Sequence, residues 1–207
     1  MKRKIFRVAT LAVALVMVSL IGAYAQEAVE QGVVINGVRW ANCNVDAPGT
    51  FAAKPEDAGK FYQWNRKYEY PTTGEKLSYW DTSTSNYRVD FWLEANDPSP
   101  AGWRVPDNGH INRLLDTTKV RSEWATQNGV TGRKFTDKST GNSIFLPAVG
   151  EREESDGTLD YAGRRGCYWS SSRFSDLLQY MVFGTNSAIR NNGGSRTYGR
   201  SVRSVKK

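Results

Sequence analysis

The chain holds one histidine, His110, and two cysteines, Cys43 and Cys167. These shortages exclude much chemistry. One imidazole and two distant thiols do not make a zinc site of ordinary ligand spacing. The serines of "WSSS" (Ser170 to Ser172) lack the Gly-x-Ser-x-Gly surround of a nucleophile elbow, so a Ser–His hydrolase is unsupported. "EREESDGTLD" (Glu151 to Asp160) gathers five carboxylates but lacks the Asp-x-Asp-x-Asp-Gly order of an EF-hand calcium loop, and reads as a solvated loop. No metal or cofactor is implied. Beyond the N-terminus, no apolar run approaches the roughly 18–20 residues of a membrane span.

The N-terminus itself reads as a signal peptide. "MKRKIFR" is a basic leader, "VATLAVALVMVSLIG" a short apolar run and Ala23-Tyr24-Ala25 a small-x-small cleavage site. Residues 1–25 are therefore expected to be removed. Residues 26–31 are then a short N-terminal segment and residues 32–207 a single domain. The expected location is outside the cytoplasm, in the periplasm or on the outer cell surface. Gln26 follows the cleavage point, so lipid attachment to a new N-terminal cysteine is not indicated. Export permits a disulfide between Cys43 and Cys167. The alternative of two separate buried thiols stays open, because a bridge needs Cα atoms within about 7 Å.

Charge narrows the partners. Four basic residues sit in the leader, so the formal charge of +7 falls to +3 without it. That argues against a nucleic-acid role. The remainder is uneven: from Tyr161 onward there are nine Lys/Arg against one acid, Asp176. Such a segment favours an anionic partner such as an acidic polysaccharide, or forms a solvated face balanced by acids nearby in space.

Local patterning gives an outline of the elements. Asn36-Gly37 between the apolar runs of "VVINGVRW" is a hairpin signal, because both turn residues must take positive φ. Tyr68 to Asn86 is polar and aperiodic, and reads as a long surface insertion. Pro106-Asp107 precedes Ile111, Leu114 and Leu115 at helical spacing, with Asp107 as the N-cap. "VTGRKFTD", "SIFLPAVG", "CYWSSS", "LQYMVFG" and "YGRSVRSV" read as strands, separated by clusters such as "KSTGN" and "RNNGG". Trp40, Trp64, Trp103 and Trp169 sit in apolar contexts and are expected in the core. Tyr79, Trp80 and Tyr87 lie in or beside the insertion and are the candidate ligand-binding residues, either stacking on a ligand or pinning the loop.

Several segments together carry a resemblance. "INGVRWANCNV", "PEDAGKFYQWNRK", "WLEANDPSPAGWRVP", "NGVTGRKFTD", "GNSIFLPAVG", "YWSSS" and "YGRSVRSV" resemble, in order, the Fibrobacter succinogenes major paralogous domain family. The resemblance runs from about Gly32 to Val205. It implies a secreted or surface-located bacterial protein. It also implies an α+β class with a C-type lectin-like fold: twisted antiparallel strands, one or two short helices, long loops and neighbouring terminal strands. The family's helix start resembles Pro-Thr-x-x-Glu-Trp, whereas this chain has Pro106-Asp107-Asn108-Gly109-His110-Ile111. His110 thus stands where a capping glutamate is usual. It is expected to be a solvent-facing helix-start residue on a weakened start, and not a catalytic base. The related copper-dependent oxidases of the formylglycine-generating type use a late, closely set cysteine pair, which Cys43 and Cys167 do not match. The calcium-lectin signatures are also missing.

The expectation is therefore a non-catalytic binding or adhesion module for an extracellular polysaccharide, glycoprotein or surface partner. A structural component of a fimbria-like surface assembly is the alternative, and an oxidase of the formylglycine-generating type is a remote one.

Overall fold

A computed structural model describes residues 32–83, 89, 91–174 and 177–207. The expected leader, residues 1–25, the segment 26–31 and Tyr87 lie outside the described residues. In chain order, β1 (Val33–Ile35) and β2 (Val38–Trp40) form a hairpin, and β3 (Phe61–Tyr62) and β4 (Glu69–Tyr70) form a second pair. A 3-10 turn at Glu94–Asn96 precedes β5 (Trp103–Arg104) and helix α1 (Asn108–Leu115). Then come a meander of β6 (Val120–Gln127), β7 (Val130–Asp137) and β8 (Ser143–Pro147), and a short pair, β9 (Glu151–Arg152) and β10 (Leu159–Asp160). A second meander holds β11 (Gly166–Phe174), β12 (Leu177–Phe183) and β13 (Ala188–Gly194), and β14 (Val205–Lys206) ends the series.

The expected α+β class with a C-type lectin-like fold does not hold. Strand occupies 41% and helix 7%, with one α-helix among the described residues and several small antiparallel sheets. The physical reason lies in the patterning. Only residues 108–115 carry a 3.6-residue apolar period. Elsewhere β-branched and aromatic residues alternate with polar ones between turn clusters, which favours hairpins. The class is mostly β.

The local elements follow from their residues. Asn36 and Gly37 take φ of 45° and 73°, and Ile35 faces Val38 across the turn. Both turn residues are left-handed, as this two-residue hairpin requires. β14 lies between β2 and β5, with Val205 opposite Trp40 and Arg104. Helix α1 buries Ile111 and Leu114 against the main core, which also takes in Ile35, Trp40, Phe135, Leu146 and Phe183. A second core gathers Trp64, Trp92, Val105, Trp169 and Val202. Trp40, Trp64, Trp103 and Trp169 are all buried.

Between β2 and β5 the chain has little β-ladder, yet much of its backbone is buried. Buried carbonyls need donors. Two buried arginines, Arg203 and Arg152, supply them, and a third, Arg200, is buried beside them. Arg203 is 1% exposed, and its Nε donates to Asn44 Oδ1 at 3.0 Å. Its two NH2 groups donate to the carbonyls of Ala41, Asn42 and Phe145, with Pro55 at the limit of 3.5 Å. Arg152, also fully buried, donates to the carbonyls of Pro71, Thr73, Glu75 and Gly157 at 2.5–2.8 Å. Arg200 pairs with Glu151 at 2.6 Å and lies over the rings of Trp169, Tyr180 and Tyr198.

The helix start is stronger than the sequence suggests. Asp107 Oδ1 accepts from His110 N at 3.0 Å. His110 Nδ1 lies 2.6 Å from that same oxygen and 3.3 Å from Asp107 N. One nitrogen cannot both donate to the carboxylate and accept from the amide. The shorter contact places the proton on Nδ1, donating to Asp107. The imidazole thus braces the cap carboxylate and does not accept from the Asp107 amide as a glutamate would, and its side chain is 21% exposed and not solvent-facing. Burial lowers its pKa from 6.5, the Asp107 carboxylate pulls the other way, and burial wins.

Folding therefore favours the neutral ring. This contribution to stability is full above the unfolded value and is lost as pH falls through the folded one. The chain has one histidine, so an NMR titration reports it alone. The midpoint is expected below 6.5. A midpoint above it would show that the Asp107 carboxylate outweighs burial.

Candidate functional site

Arg152 holds the polar insertion against β9, and this fixes a group of aromatic rings at the surface. Tyr70, buried on β4, is the centre. Tyr79 stacks on it at 6.3 Å between centroids and 12° between planes. Tyr68 meets its edge at 5.0 Å, and Trp80 packs at 4.4 Å. The three outer rings differ in what they present. Tyr68 is 59% exposed and Tyr79 54% exposed. Trp80 is half-buried and faces two glycines. A Cβ at Gly157 would come within 2.6 Å of its ring, and one at Gly199 within 2.7 Å. Its indole N–H donates to the Glu154 carbonyl at 3.2 Å. Of the two roles considered for Trp80, the packing is that of a loop anchor.

Tyr68 also borders a cleft of about 660 Å³, lined by Trp64 to Tyr68, Asp81, Ser83, Leu93, Asn96 and Arg196. Its two walls are tied together by Asn65. This residue takes φ of 58°, the left-handed conformation that asparagine tolerates. Its Oδ1 accepts from Leu93 N at 2.8 Å and from Asn96 Nδ2 at 3.4 Å. Trp64 forms the floor, its indole donating to the Ser170 carbonyl at 3.0 Å and its ring 5.7 Å from that of Trp92. Arg66 pairs with Asp81 and donates to Ser83 at 2.9 and 3.0 Å. Burial lowers the pKa of Arg196, and the nearby positive charges of Arg173 and Arg66 lower it further. A cleft of this size with aromatic surface and fixed polar groups has the form of a small-ligand site.

The remaining candidates have structural partners. Ser170 bonds to Asn108 Oδ1 and Ser172 accepts from Asn108 N, while the His110 ring is engaged by Asp107. In the acidic loop, Glu151 pairs with Arg200, and Asp156 pairs with Lys76 and caps Thr158. Asp97 accepts from the backbone of Ser99 and Val105. Among the described residues, no three His, Cys, Asp or Glu side chains gather as metal ligands. Cys43 and Cys167 are both buried and unbonded. Burial pushes both thiols up, which disfavours the reactive thiolate.

The cleft was not read from the sequence. "WNRKY" (Trp64 to Tyr68) carries the signal, two cations between two aromatics, but Arg196 is distant in the chain and no local pattern joins it to that segment.

Replacing Trp80 by alanine empties the space between Gly157 and Gly199. The Trp80→Ala variant is expected to lose about 2–4 kcal/mol in urea unfolding. A loss under about 0.5 kcal/mol, the range of an ordinary surface change, would contradict the anchoring role.

Comparison with known proteins finds no matching family model, no matching curated protein and no matching solved structure.

Proposed function

We propose that the protein is an exported, non-catalytic binding or adhesion module that takes an extracellular polysaccharide in the cleft beside Tyr68. The observation that carries this reading is the juxtaposition of an exposed tyrosine ring with a polar cleft of about 660 Å³. A flat ring with a polar edge suits a pyranose, whose one face is C–H and whose rim is hydroxyl. The cleft supplies donors and acceptors for that rim. Export rests on the leader motif of residues 1–25, and the likeness to the Fibrobacter succinogenes major paralogous domain family rests on the seven sequence segments.

A second reading, a component of a surface assembly, has its own observation. Phe91, Phe174 and Leu177 are exposed, and Phe91 bridges Ser172 on the same strand that carries Phe174. Single exposed apolar residues are common on monomers, so this patch carries less weight than the cleft.

A glycan array followed by calorimetry tests the first reading. Tyr68→Ala is expected to weaken binding of the captured polysaccharide by about 2- to 10-fold, the worth of one aromatic contact. Its unfolding free energy should stay within about 0.5 kcal/mol of the parent. An array with no polysaccharide bound would reject the reading and favour assembly.

A further inference from the structure

From Tyr161 onward the chain carries nine Lys/Arg against one acid. Seven of the nine are engaged within the fold. Arg200 and Arg203 are buried and bonded. Arg173 donates to the Val89 carbonyl and Arg190 to Asn112 Oδ1, and Arg196 is engaged as well. Lys206 lies over the Trp103 ring, and Lys207 pairs with Glu94. Arg164 and Arg165 remain. Both are exposed, and their guanidinium groups lie over one ring, that of Tyr161, at 5.5 and 4.0 Å. Neither has a carboxylate partner among the described residues. Asp160, their nearest acid in the chain, bonds to Glu153.

The pair lines a cleft of about 450 Å³. One wall is a face of β12 and β13, where Val182 lies opposite Ile189 and Tyr180 opposite Asn191. The turn between these strands adds Thr185, Asn186 and Ser187. Glu151 also lines the cleft, but Arg200 holds its carboxylate at 2.6 Å. The loop that carries the two arginines is pinned. Gly163 N donates to the Ala148 carbonyl at 2.7 Å, Thr131 Oγ1 to the Gly163 carbonyl at 3.0 Å and Gly150 N to the Arg165 carbonyl at 2.8 Å. A guanidinium stacked on a ring uses its flat face, and its N–H edge stays available to oxygen. Two planar forks are thus fixed at a concave surface where no acid among the described residues takes them.

We propose that this cleft is a second binding site, for an acidic saccharide whose carboxylate or sulfate ester is received by Arg164 and Arg165. It shares no lining residue with the cleft beside Tyr68 and does not depend on that site. Guanidinium N–H groups match in pairs the oxygens of either anion. A saccharide is the class that fits the rest of the wall. Val182 and Ile189 offer an apolar strip to the C–H face of a sugar, and the 184–187 turn and Asn191 offer hydroxyl and amide groups to its rim. The stacking and the pinned loop already fix the arginines, so little side-chain freedom is lost on binding. Their charge also draws polyanions in, an effect that salt screens.

Calorimetric titration of the purified protein with polygalacturonate, dextran sulfate, polyglutamate and neutral dextran, at low and high salt, tests the site. At least one acidic polysaccharide is expected to bind about tenfold or more tighter than neutral dextran and to weaken as salt rises. Preference for polygalacturonate assigns a carboxylate, and preference for dextran sulfate a sulfate ester. Arg165→Gln is expected to weaken that binding several-fold, and Arg164→Gln combined with it to abolish the preference over neutral dextran. Arg165→Lys should fall between parent and Arg165→Gln, since lysine keeps the charge without the fork. Both arginines are exposed, so the thermal midpoint should not move. Lys54→Gln removes one charge at an exposed position outside both clefts and should leave binding within about twofold. An equal loss in Lys54→Gln and Arg165→Gln would reduce the effect to net charge and overturn the site. Acidic binding untouched in the double variant but lost in Tyr68→Ala would move it to the other cleft, overturning this site and leaving the polysaccharide reading there intact. Polyglutamate bound ahead of both acidic polysaccharides would assign a peptide and overturn the saccharide class. Binding of no acidic polymer would overturn the site, whatever neutral dextran does.

Discussion

A buried guanidinium without a carboxylate partner holds the centre of this fold. Arg203 is fully enclosed, and its five N–H groups meet five oxygens from three separate segments of chain. Burying a charge is costly unless every donor is satisfied. Here the guanidinium provides what the loops lack. Residues 41–60 form no ladder longer than the Val45–Phe51 bridge, and Arg203 supplies the donors for the carbonyls of Ala41, Asn42 and Pro55. Arg203 gathers carbonyls at residues 41, 42, 55 and 145 and so replaces a sheet with a single side chain.

Arg152 applies the same solution to the insertion. Its four carbonyl partners include residues 71, 73 and 75, so a polar stretch with almost no regular structure is held in one place. Tyr70, Tyr79 and Trp80 are consequently ordered as a group, and Trp80 closes the insertion over Gly157 and Gly199. Tyr68 at the margin of that group then faces outward beside the cleft. Tyr68 comes from a segment with little secondary structure and is placed by its contact with Tyr70, beside the insertion that Arg152 holds, which is how loops carry function on a rigid support.

Much of the local structure was legible. The Asn36-Gly37 hairpin, the helix after Asp107 and the strands around Lys134, Phe145, Trp169 and Met181 follow from turn chemistry and apolar period. The two-residue strands β3, β4, β5, β9 and β10 were not, nor were two long ones. β6 has mixed burial and no clean alternation, so periodicity passes over it. "RNNGG" reads as a separator, yet it belongs to β13, on the edge of its sheet, where asparagine and glycine need not pack on two sides. The class was misjudged because it was taken from the resemblance, whereas one helix of eight residues does not make a layer. His110 was placed correctly at the helix start but not its enclosure by Asp107. The clamps of Arg152 and Arg203 and the cleft were invisible for a common reason: each joins some residues more than 70 positions apart, and nothing in a local window marks an arginine as buried.

The central claim is that Arg203 holds the loops by its planar five-donor fork and not by charge alone. Equilibrium urea unfolding of Arg203→Lys tests it most directly, because lysine keeps the charge and offers only three donors from a single point. The account predicts a loss of at least about 2 kcal/mol, as several buried carbonyls lose their donors. A variant within about 0.5 kcal/mol of the parent, with the same denaturant dependence, would contradict it.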